Sequence, residues 1–156
     1  MEIKLGPLTC GIYLFDLRTQ TLLIGHVTGL GDIYSIPKGE PDPVDADDWE
    51  SATRETLEET GIDVYKLPQF KKCEEYEKVK YPNKERWLKS FFCTFYSDEN
   101  NFPKTECTSF FIKQSDGTQH PEIDDFKWIS LKDSPQYLPP VQLHNLPKIE
   151  KYLNEN

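Results

Sequence analysis

The sequence of 156 residues lacks several features that would set its class at once. No run reaches the roughly 18 apolar residues that a membrane-spanning helix requires, and the first residues show neither the charged nor the apolar region of a secretion signal. The four cysteines stand far apart, without the close ligand pairs that zinc binding favours. We therefore expect a cytoplasmic protein with no membrane partner, whose cysteines are reduced and mostly buried.

Positive charge is also scarce, because 18 Lys and Arg residues stand against 27 Asp and Glu residues and give a net charge of −9. A chain this acidic repels polyanions, so broad nucleic-acid binding is disfavoured. A phosphate ligand remains compatible, since a bound cation inverts the local charge. The hydrophobic content of 37%, with 13% aromatic residues, predicts a single folded domain over residues 1–156.

The order of the apolar segments predicts a mixed α/β fold. Strands are predicted at residues 8–17, 21–27, 33–36, 70–79, 87–96, 107–113 and 126–129, with a loop at 115–121. Helices are predicted at residues 46–60 and 142–153. In the first helix, five residues recur at helical spacing and are predicted to face the core: Trp49, Ala52, Thr53, Thr56 and Leu57.

The acidic residues of this first helix carry the chemical signal. Glu55 and Glu59 are four residues apart and project from one helix face, while Glu58 lies one turn from Glu55. Such crowded carboxylates destabilise a helix unless a cation lies among them, and Mg²⁺ or Mn²⁺ prefers carboxylate and phosphate oxygens. Arg54 can pair with one carboxylate, and Gly39 lets the preceding loop approach an ion closely. The alternative is a solvated acidic face, which is what most Glu-Glu pairs form.

Together with Gly39, the segment RETLEETGI at residues 54–62 resembles the Nudix box. That box is usually written G-x5-E-x7-R-E-U-x-E-E-x-G-U, where U is a bulky aliphatic residue. Thr56 stands where the family usually has a large aliphatic residue. The resemblance implies the Nudix α/β/α sandwich with a mixed β-sheet, a catalytic loop and helix, and a C-terminal helix. Six residues match the box in register: Arg54, Glu55, Glu58, Glu59, Gly61 and Ile62.

The front half of the box departs from the pattern. Counting back from Arg54, the first glutamate of the family would fall on Ala46 and its glycine on Glu40, so the loop carries one extra residue. Asp45 and Asp47 are the alternatives for the missing glutamate, and neither is in register with Arg54.

The resemblance also implies roles for the matching residues. Glu55 and Glu59 would be the main ligands of Mg²⁺ or Mn²⁺, and Glu58 would hold a further ion or help to activate water. Gly39 would offer its main-chain carbonyl to the ion. Arg54 would orient the glutamates. The reaction would be attack of an activated water on a phosphoanhydride.

Nudix enzymes often recruit one more acidic residue from a distal loop. Glu122 is our candidate for that additional ligand or base, and the alternative is an ordinary surface glutamate. We interpret the nearby His120 as a loop residue.

The substrate-binding residues are sought outside the box. Lys38 is a candidate phosphate contact, although an exposed loop lysine is the simpler interpretation. The locally basic segment of residues 78–89 is a candidate polyphosphate site, with Tyr81 or Trp87 stacking on a base. Its alternative is a hairpin with a solvated basic face. Lys84 and Arg86 complete the predicted substrate-binding set.

The sequence therefore predicts a metal-dependent pyrophosphohydrolase acting on a small phosphorylated substrate. A dinucleoside polyphosphate is favoured, and a diphosphoinositol polyphosphate or an RNA 5′ end is the alternative. A non-catalytic Nudix-like binding module is the alternative of another class. The sequence leaves a monomer and a homodimer equally open.

Overall fold

A mixed sheet with strand order β10-β2-β1-β7-β5 forms the centre of the protein, whose computed structural model describes residues 7–156. Strand β1 runs parallel to β7, and the other neighbours in this order are antiparallel. These five strands are β1 (Leu8–Asp16), β2 (Thr21–Val27), β5 (Lys71–Glu75), β7 (Trp87–Phe95) and β10 (Ile123–Ile129). Shorter strands extend the sheet: β3 (Tyr34–Ser35), β4 (Lys38–Gly39) and β6 (Val79–Lys80).

Helices cover both faces of this sheet. They are α1 (Asp48–Thr60), α2 (Pro140–Leu143) and α3 (Leu146–Glu155), with 3₁₀ turns at Val64–Lys66 and Leu131–Gln136. Alternate residues of β1 point to opposite faces, as the pleat requires. Cys10, Ile12 and Leu14 are buried with Ala52 of α1, whereas Tyr13 and Phe15 are buried with Leu146 and Ile149 of α3. The predicted α/β/α sandwich is therefore confirmed.

Both ends of α1 are capped by the chain itself. The side chain of Asp47 accepts a hydrogen bond from the Glu50 N–H, and Gly61 adopts a left-handed conformation with φ of 76°. The helix thus begins two residues later than predicted. Leu57 was predicted to face the core but is 46% exposed, because the buried face runs through Ala52, Thr56 and Glu59 instead.

Two other predictions about local structure were wrong. Residues 119–121, expected within a loop, form β9 (Gln119–Pro121), which pairs with β8 (Phe110–Ile112) in a separate two-stranded sheet. The C-terminal helix is interrupted at His144 and Asn145. Pro147 explains the interruption, because proline lacks the N–H that a continuous helix needs and is tolerated only in a first turn.

The four cysteines are free thiols, as expected. Cys10, Cys93 and Cys107 are buried and Cys73 is partly buried. Across residues 7–156, no helix is both long enough and apolar enough to cross a membrane.

Candidate active site

Gly39 lies directly against the carboxylate of Glu55. Strand β4 ends at Gly39, which pairs with Cys10 of β1, and α1 packs over both strands. A β-carbon on Gly39 would overlap the Glu55 carboxylate, so the close approach requires glycine here. The Glu55 side chain is 12% exposed. Its burial raises its pKa to about 7, despite the neighbouring Arg54 guanidinium.

Glu59 is the most enclosed carboxylate of the helix. It is 8% exposed, and its Oε1 accepts a hydrogen bond from the backbone N–H of Lys38 at 3.1 Å. Burial raises its pKa to about 8, and the like charges of Glu55 and Glu122 act in the same direction. A cation beside this carboxylate would favour its charged form.

Arg54 connects the helix with the loop that precedes it. Its Nε and Nη2 donate to the Asp45 carboxylate at 3.1 to 3.2 Å, and Nη2 also donates to the Glu40 carbonyl at 2.9 Å. Its Nη1 donates to Glu55 at 3.0 Å and to Glu58 at 3.1 and 3.2 Å. One guanidinium therefore orients two box glutamates and holds the loop in place.

Asp45 is the acidic residue that braces this loop. Its side chain is only 4% exposed, and its Oδ2 also accepts from the Ser51 hydroxyl at 2.8 Å. The hydrogen bonds from Arg54 lower the pKa of Asp45 to about 2. Asp45 is thus ionised at neutral pH.

Counting forward from Gly39 explains the departure from the box. Asp45 is the sixth residue after Gly39, which is the spacing between glycine and first acid in the box. The extra residue therefore lies between Asp45 and Arg54, where the chain enters the helix. Asp47, the other candidate for the missing glutamate, caps the helix.

Glu122 and Glu59, one of the helix glutamates, line the same cavity. This carboxylate cavity, of about 280 Å³, is lined by Glu59, Glu122 and Lys38 among others. The Ser109 hydroxyl donates to Glu122 Oε2 at 3.3 Å and holds the side chain in place. Glu122 follows directly on β9 and precedes β10, so its position depends on the sheet.

The C-terminal end of α1 is tied to the same distal segment. Thr108 donates from its N–H and its hydroxyl to the Glu58 carbonyl, at 2.7 and 3.0 Å. The N–H of Glu106 donates to the Thr60 carbonyl at 2.8 Å. These bonds satisfy the last carbonyls of the helix and fix it relative to β8.

The carboxylates are turned towards protein partners in this structure. Glu55 and Glu58 face Arg54, and Glu59 faces the Lys38 N–H. Within residues 7–156, no three acidic, histidine or cysteine side chains converge as a ready-made cation site.

Comparison with known proteins decides the family. The chain matches the NUDIX domain over residues 6–149. The chain belongs to the Nudix family. It is also 33% identical over 134 residues to an uncharacterised 17.7 kDa protein of Enterobacteria phage T4, from the e-segB intergenic region; the match covers 82% of this chain and 85% of that protein.

Solved Nudix structures of low sequence identity share the fold. The C. elegans Ap4A hydrolase, in a binary complex, has a TM-score of 0.71 at 18% identity, over 96% of this chain and 99% of that one. The NUDIX domain of Shewanella oneidensis NrtR, complexed with ADP ribose, has a TM-score of 0.66 at 16% identity, over 97% and 90%. The E. coli dihydroneopterin triphosphate pyrophosphohydrolase has a TM-score of 0.67 at 14% identity, over 99% and 100%.

Membership of the Nudix family confirms the class that the sequence predicted, a hydrolase of acid anhydrides.

The predicted substrate-binding residues divide into two groups. Lys38 lines the carboxylate cavity and also a second one of about 470 Å³, here called the apolar cavity. Tyr81 and Lys84 line the apolar cavity. The Tyr81 ring is 9% exposed and lies under Lys84 Nζ, 4.8 Å from the ring centroid. Tyr81 therefore forms part of the wall of the apolar cavity, and Lys84 covers one face of its ring.

Arg86 and Trp87 lie outside these two cavities. Arg86 Nη2 donates to Glu40 Oε1 at 3.2 Å, and Trp87 begins β7 opposite Leu8 of β1. Both residues are thus engaged in the fold beside the Nudix box, and the structure does not bring them together with Lys38.

Five further residues line the carboxylate cavity but were not singled out from the sequence: Val27, Thr28, Ser35, Phe111 and Ile123. Phe111 is 37% exposed on β8. The short apolar run of residues 110–112 was the available signal, but it does not indicate which cavity a side chain faces.

His26 on β2 holds the loop of residues 28–32, which contributes to both cavities of this Nudix fold. Its Nδ1 lies 2.5 Å from Asp124 Oδ1, and its Nε2 contacts the Gly31 carbonyl. The Gly31 carbonyl and the Asp124 carboxylate are both acceptors, an arrangement that favours the doubly protonated, positively charged ring. The Gly31 carbonyl and then Asp124 raise the pKa of His26 above its ordinary value of 6.5.

We expect the stabilisation by His26 to be lost as the pH rises. Because its pKa is raised on folding, the stabilisation is complete below pH 6.5 and disappears as the pH passes the raised value. The Tm difference between the wild type and His26→Gln should therefore be largest near pH ~5.5 and shrink towards pH ~9. Asp125 and Tyr34, which also face the ring, are present in both proteins, so the difference isolates His26. A Tm difference that does not change with pH would contradict a raised pKa for His26.

Proposed function

We propose that the protein is a metal-dependent pyrophosphohydrolase that cleaves a phosphoanhydride bond in a nucleoside diphosphate-linked substrate, with dinucleoside polyphosphates as the favoured class. The observation that carries this proposal is the convergence of Glu59, Glu122 and Lys38 on one cavity, beside the close packing of Gly39 on Glu55. Carboxylates and a lysine in one cavity suit a cation and a phosphate chain together.

The residues present fit a hard divalent cation. The donors are carboxylate oxygens, and two of these carboxylates have pKa values raised by burial, to about 7 for Glu55 and about 8 for Glu59. Burial thus opposes the charge of both carboxylates, even though Glu55 pairs with Arg54, and a bound cation would supply further compensating charge. Glu55, Glu58 and Glu59 and the Gly39 carbonyl would hold Mg²⁺ or Mn²⁺, with Glu122 as a further ligand or as the base. When bound, the cation supplies charge neutralisation on the phosphates and a more acidic water.

The protein's own residues have separate tasks in this reaction. Lys38 binds the phosphate chain where the two cavities meet. Arg54 fixes the rotamers of Glu55 and Glu58 and has no free role at the substrate, because its donors are engaged. Glu122 faces the cavity and is oriented by Ser109, so it is placed to take the proton of the attacking water.

The charge of the chain supports a small substrate. A net charge of −9 opposes the approach of a long polyanion, which favours a dinucleotide over an RNA 5′ end. Among the solved structures of this fold, one is an Ap4A hydrolase and another carries ADP ribose. Both compounds contain a phosphoanhydride chain that is substituted at both ends, and this is the class that we propose.

The test is a hydrolysis screen with and without Mg²⁺ or Mn²⁺, using the wild type and Glu59→Gln. The panel contains dinucleoside polyphosphates, nucleoside triphosphates, ADP-ribose, diphosphoinositol phosphates and 5′-triphosphorylated RNA. We expect cation-dependent cleavage of a dinucleoside polyphosphate, reduced at least ~100-fold by Glu59→Gln. The amide oxygen of the glutamine still accepts from the Lys38 N–H, so the fold is retained.

Glu50→Gln on the same helix is the matched control. Glu50 lies in the first turn, where its Oε2 accepts from the Ala46 N–H, and the glutamine keeps that bond. Its activity should equal that of the wild type. Absence of cleavage across the panel by a folded protein would contradict the proposal and favour the binding-module alternative.

A further inference from the structure

Gln142 of α2 is a buried polar residue that holds the segment of residues 34–39, here called the entry segment. Its side chain is completely buried, yet both of its polar atoms form hydrogen bonds. Oε1 accepts from the Ile36 N–H at 2.9 Å, and Nε2 donates to the Ser35 hydroxyl at 2.9 Å. The Gln142 carbonyl also accepts from the Tyr13 hydroxyl of β1 at 2.6 Å. One residue of the C-terminal part of the chain is thus bonded both to the sheet and to the entry segment.

The entry segment carries the main-chain atoms that meet the box glutamates. Lys38 donates its N–H to Glu59, and Gly39 lies directly against the Glu55 carboxylate. Ile36 precedes Lys38 by two residues, which span at most about 7 Å of extended chain. A displacement of Ile36 is therefore transmitted to both contacts.

The entry segment also packs closely on β1. The Ile12 N–H donates to the Pro37 carbonyl at 3.1 Å. A β-carbon on Gly11 would lie only 2.8 Å from the Pro37 carbonyl oxygen, so the segment and the strand are already in close contact. The entry segment therefore cannot adjust to a change at α2 by moving further onto β1.

Gln142 is the acceptor that the structure gives to the Ile36 N–H. Ile36 is completely buried, so water cannot replace a lost hydrogen bond there. A second bond from the C-terminal part of the chain joins the Tyr34 N–H to the Tyr137 carbonyl at 3.2 Å, two residues further from Lys38. Loss of the Gln142 amide therefore leaves a buried donor next to the catalytic part of the loop, and the entry segment must move to satisfy it.

We infer that Gln142 is a positioning residue of the reaction centre, which fixes the Lys38 N–H and Gly39 against the box glutamates. Its hydrogen bonds end on the entry segment and on β1, so its effect reaches the glutamates through the chain. The kinetic consequence rests on the proposed function, whereas the position of the entry segment can be measured without turnover.

The kinetic test compares Gln142→Met with the wild type on diadenosine tetraphosphate in the presence of Mg²⁺. We expect kcat to fall at least ~10-fold, because the main-chain atoms of Lys38 and Gly39 are displaced from the glutamates. The KM should stay within about threefold, since the flexible Lys38 side chain still reaches the phosphates. A merely structural loss would lower the Tm without this separation of kcat from KM.

Asn145→Leu is the matched control. Asn145 is also completely buried, and its Nδ2 donates to the Ser90 hydroxyl of β7 at 3.2 Å, outside the entry segment. Each substitution removes a buried amide from the same part of the chain, so both should lower the Tm by roughly 3–10 °C. The kcat of Asn145→Leu should remain within about twofold of the wild-type value.

Amide hydrogen exchange tests the position of the entry segment without cation or substrate. The Lys38 N–H should exchange at least ~10-fold faster in Gln142→Met than in Asn145→Leu, because its bond to Glu59 is weakened. Since the two variants have similar Tm values, global unfolding contributes equally to both rates. Gln142→Asn, whose side chain is one methylene shorter, provides the same measurement if Gln142→Met does not fold. The Lys38 N–H should again exchange faster than in Asn145→Leu.

The outcomes separate the two proposals. A wild-type kcat in folded Gln142→Met, or equal exchange of the Lys38 N–H in Gln142→Met and Asn145→Leu, would overturn the role of Gln142 and leave the proposed function intact. A wild type that cleaves nothing would contradict the proposed function, and the exchange of the Lys38 N–H would still decide whether Gln142 positions the entry segment.

Discussion

Gly39→Ala is expected to reduce kcat/KM by at least ~100-fold and to lower the Tm. The new β-carbon would occupy the position of the Glu55 carboxylate, so either the side chain must turn away or α1 must move. A displacement of about 1 Å at a site of this kind costs roughly 100-fold in rate. Overpacking costs about 1–3 kcal/mol, which corresponds to a fall in Tm of roughly 3–10 °C for a protein of this size.

A double variant tests whether the overlap is the cause. In Gly39→Ala/Glu55→Ala the carboxylate that the methyl group meets is absent. The Tm should therefore recover, while activity stays low because a proposed metal ligand is lost. A Gly39→Ala protein with wild-type activity and Tm would show that the loop tolerates a side chain and that the close approach is unnecessary.

Arg54→Met is expected to have the second largest effect, because it removes the positive charge from three carboxylates. Asp45 and Glu55 would lose their partner while largely buried, at 4% and 12% exposure. Removing one partner of a buried pair costs about 3–5 kcal/mol. Arg54 is itself 25% exposed, so we expect a smaller loss, equivalent to a fall in Tm of roughly 5–10 °C, together with a large loss of activity.

The pH dependence of this effect has a definite sign. Hydrogen bonds from Arg54 lower the pKa of Asp45 from 3.8 to about 2, so their stabilisation is complete above pH 3.8 and is lost as the pH falls towards 2. The Tm difference between the wild type and Arg54→Met should shrink over that interval. Arg86→Met is the control, since Arg86 pairs with the 68% exposed Glu40 and should change the Tm little. Equal falls in Tm for Arg54→Met and Arg86→Met would contradict the inference that the ion pairs of Arg54 with buried carboxylates stabilise the fold.

The sequence predicted the helix carboxylates because their signal is local. Glu55, Glu58 and Glu59 lie within two turns of one helix, and helical spacing alone places them on adjoining faces. Gly61 marks the end of that helix because a left-handed residue is needed there.

Asp45 remained one of two candidates for the first acidic residue of the box, because the spacing of the box can be counted from Gly39 or from Arg54. From Arg54 it is out of register, and from Gly39 it is in register. Only the position of the extra residue decides between them, and that position depends on where the helix begins. Asp47 provides the cap and so places the extra residue before the helix.

The apolar cavity could not be predicted from local patterns. Its walls come from residues 27–38, 81–84 and 139–142, which are brought together by the sheet and by α2. Periodicity indicates whether a residue is buried, but not which distant segment it faces.

The parallel pairing of β1 with β7 also affects how the site is assembled during folding. Leu8 pairs with Trp87, so this pairing closes a loop of about eighty residues, whereas β1, β2 and β4 are neighbours in sequence. Gly39 and the helix glutamates belong to the early, local part of the chain. Glu122 arrives with β10, at the edge of the sheet. Glu122 therefore reaches the box glutamates only through the pairing of β10 with β2, a contact that closes a loop of about one hundred residues.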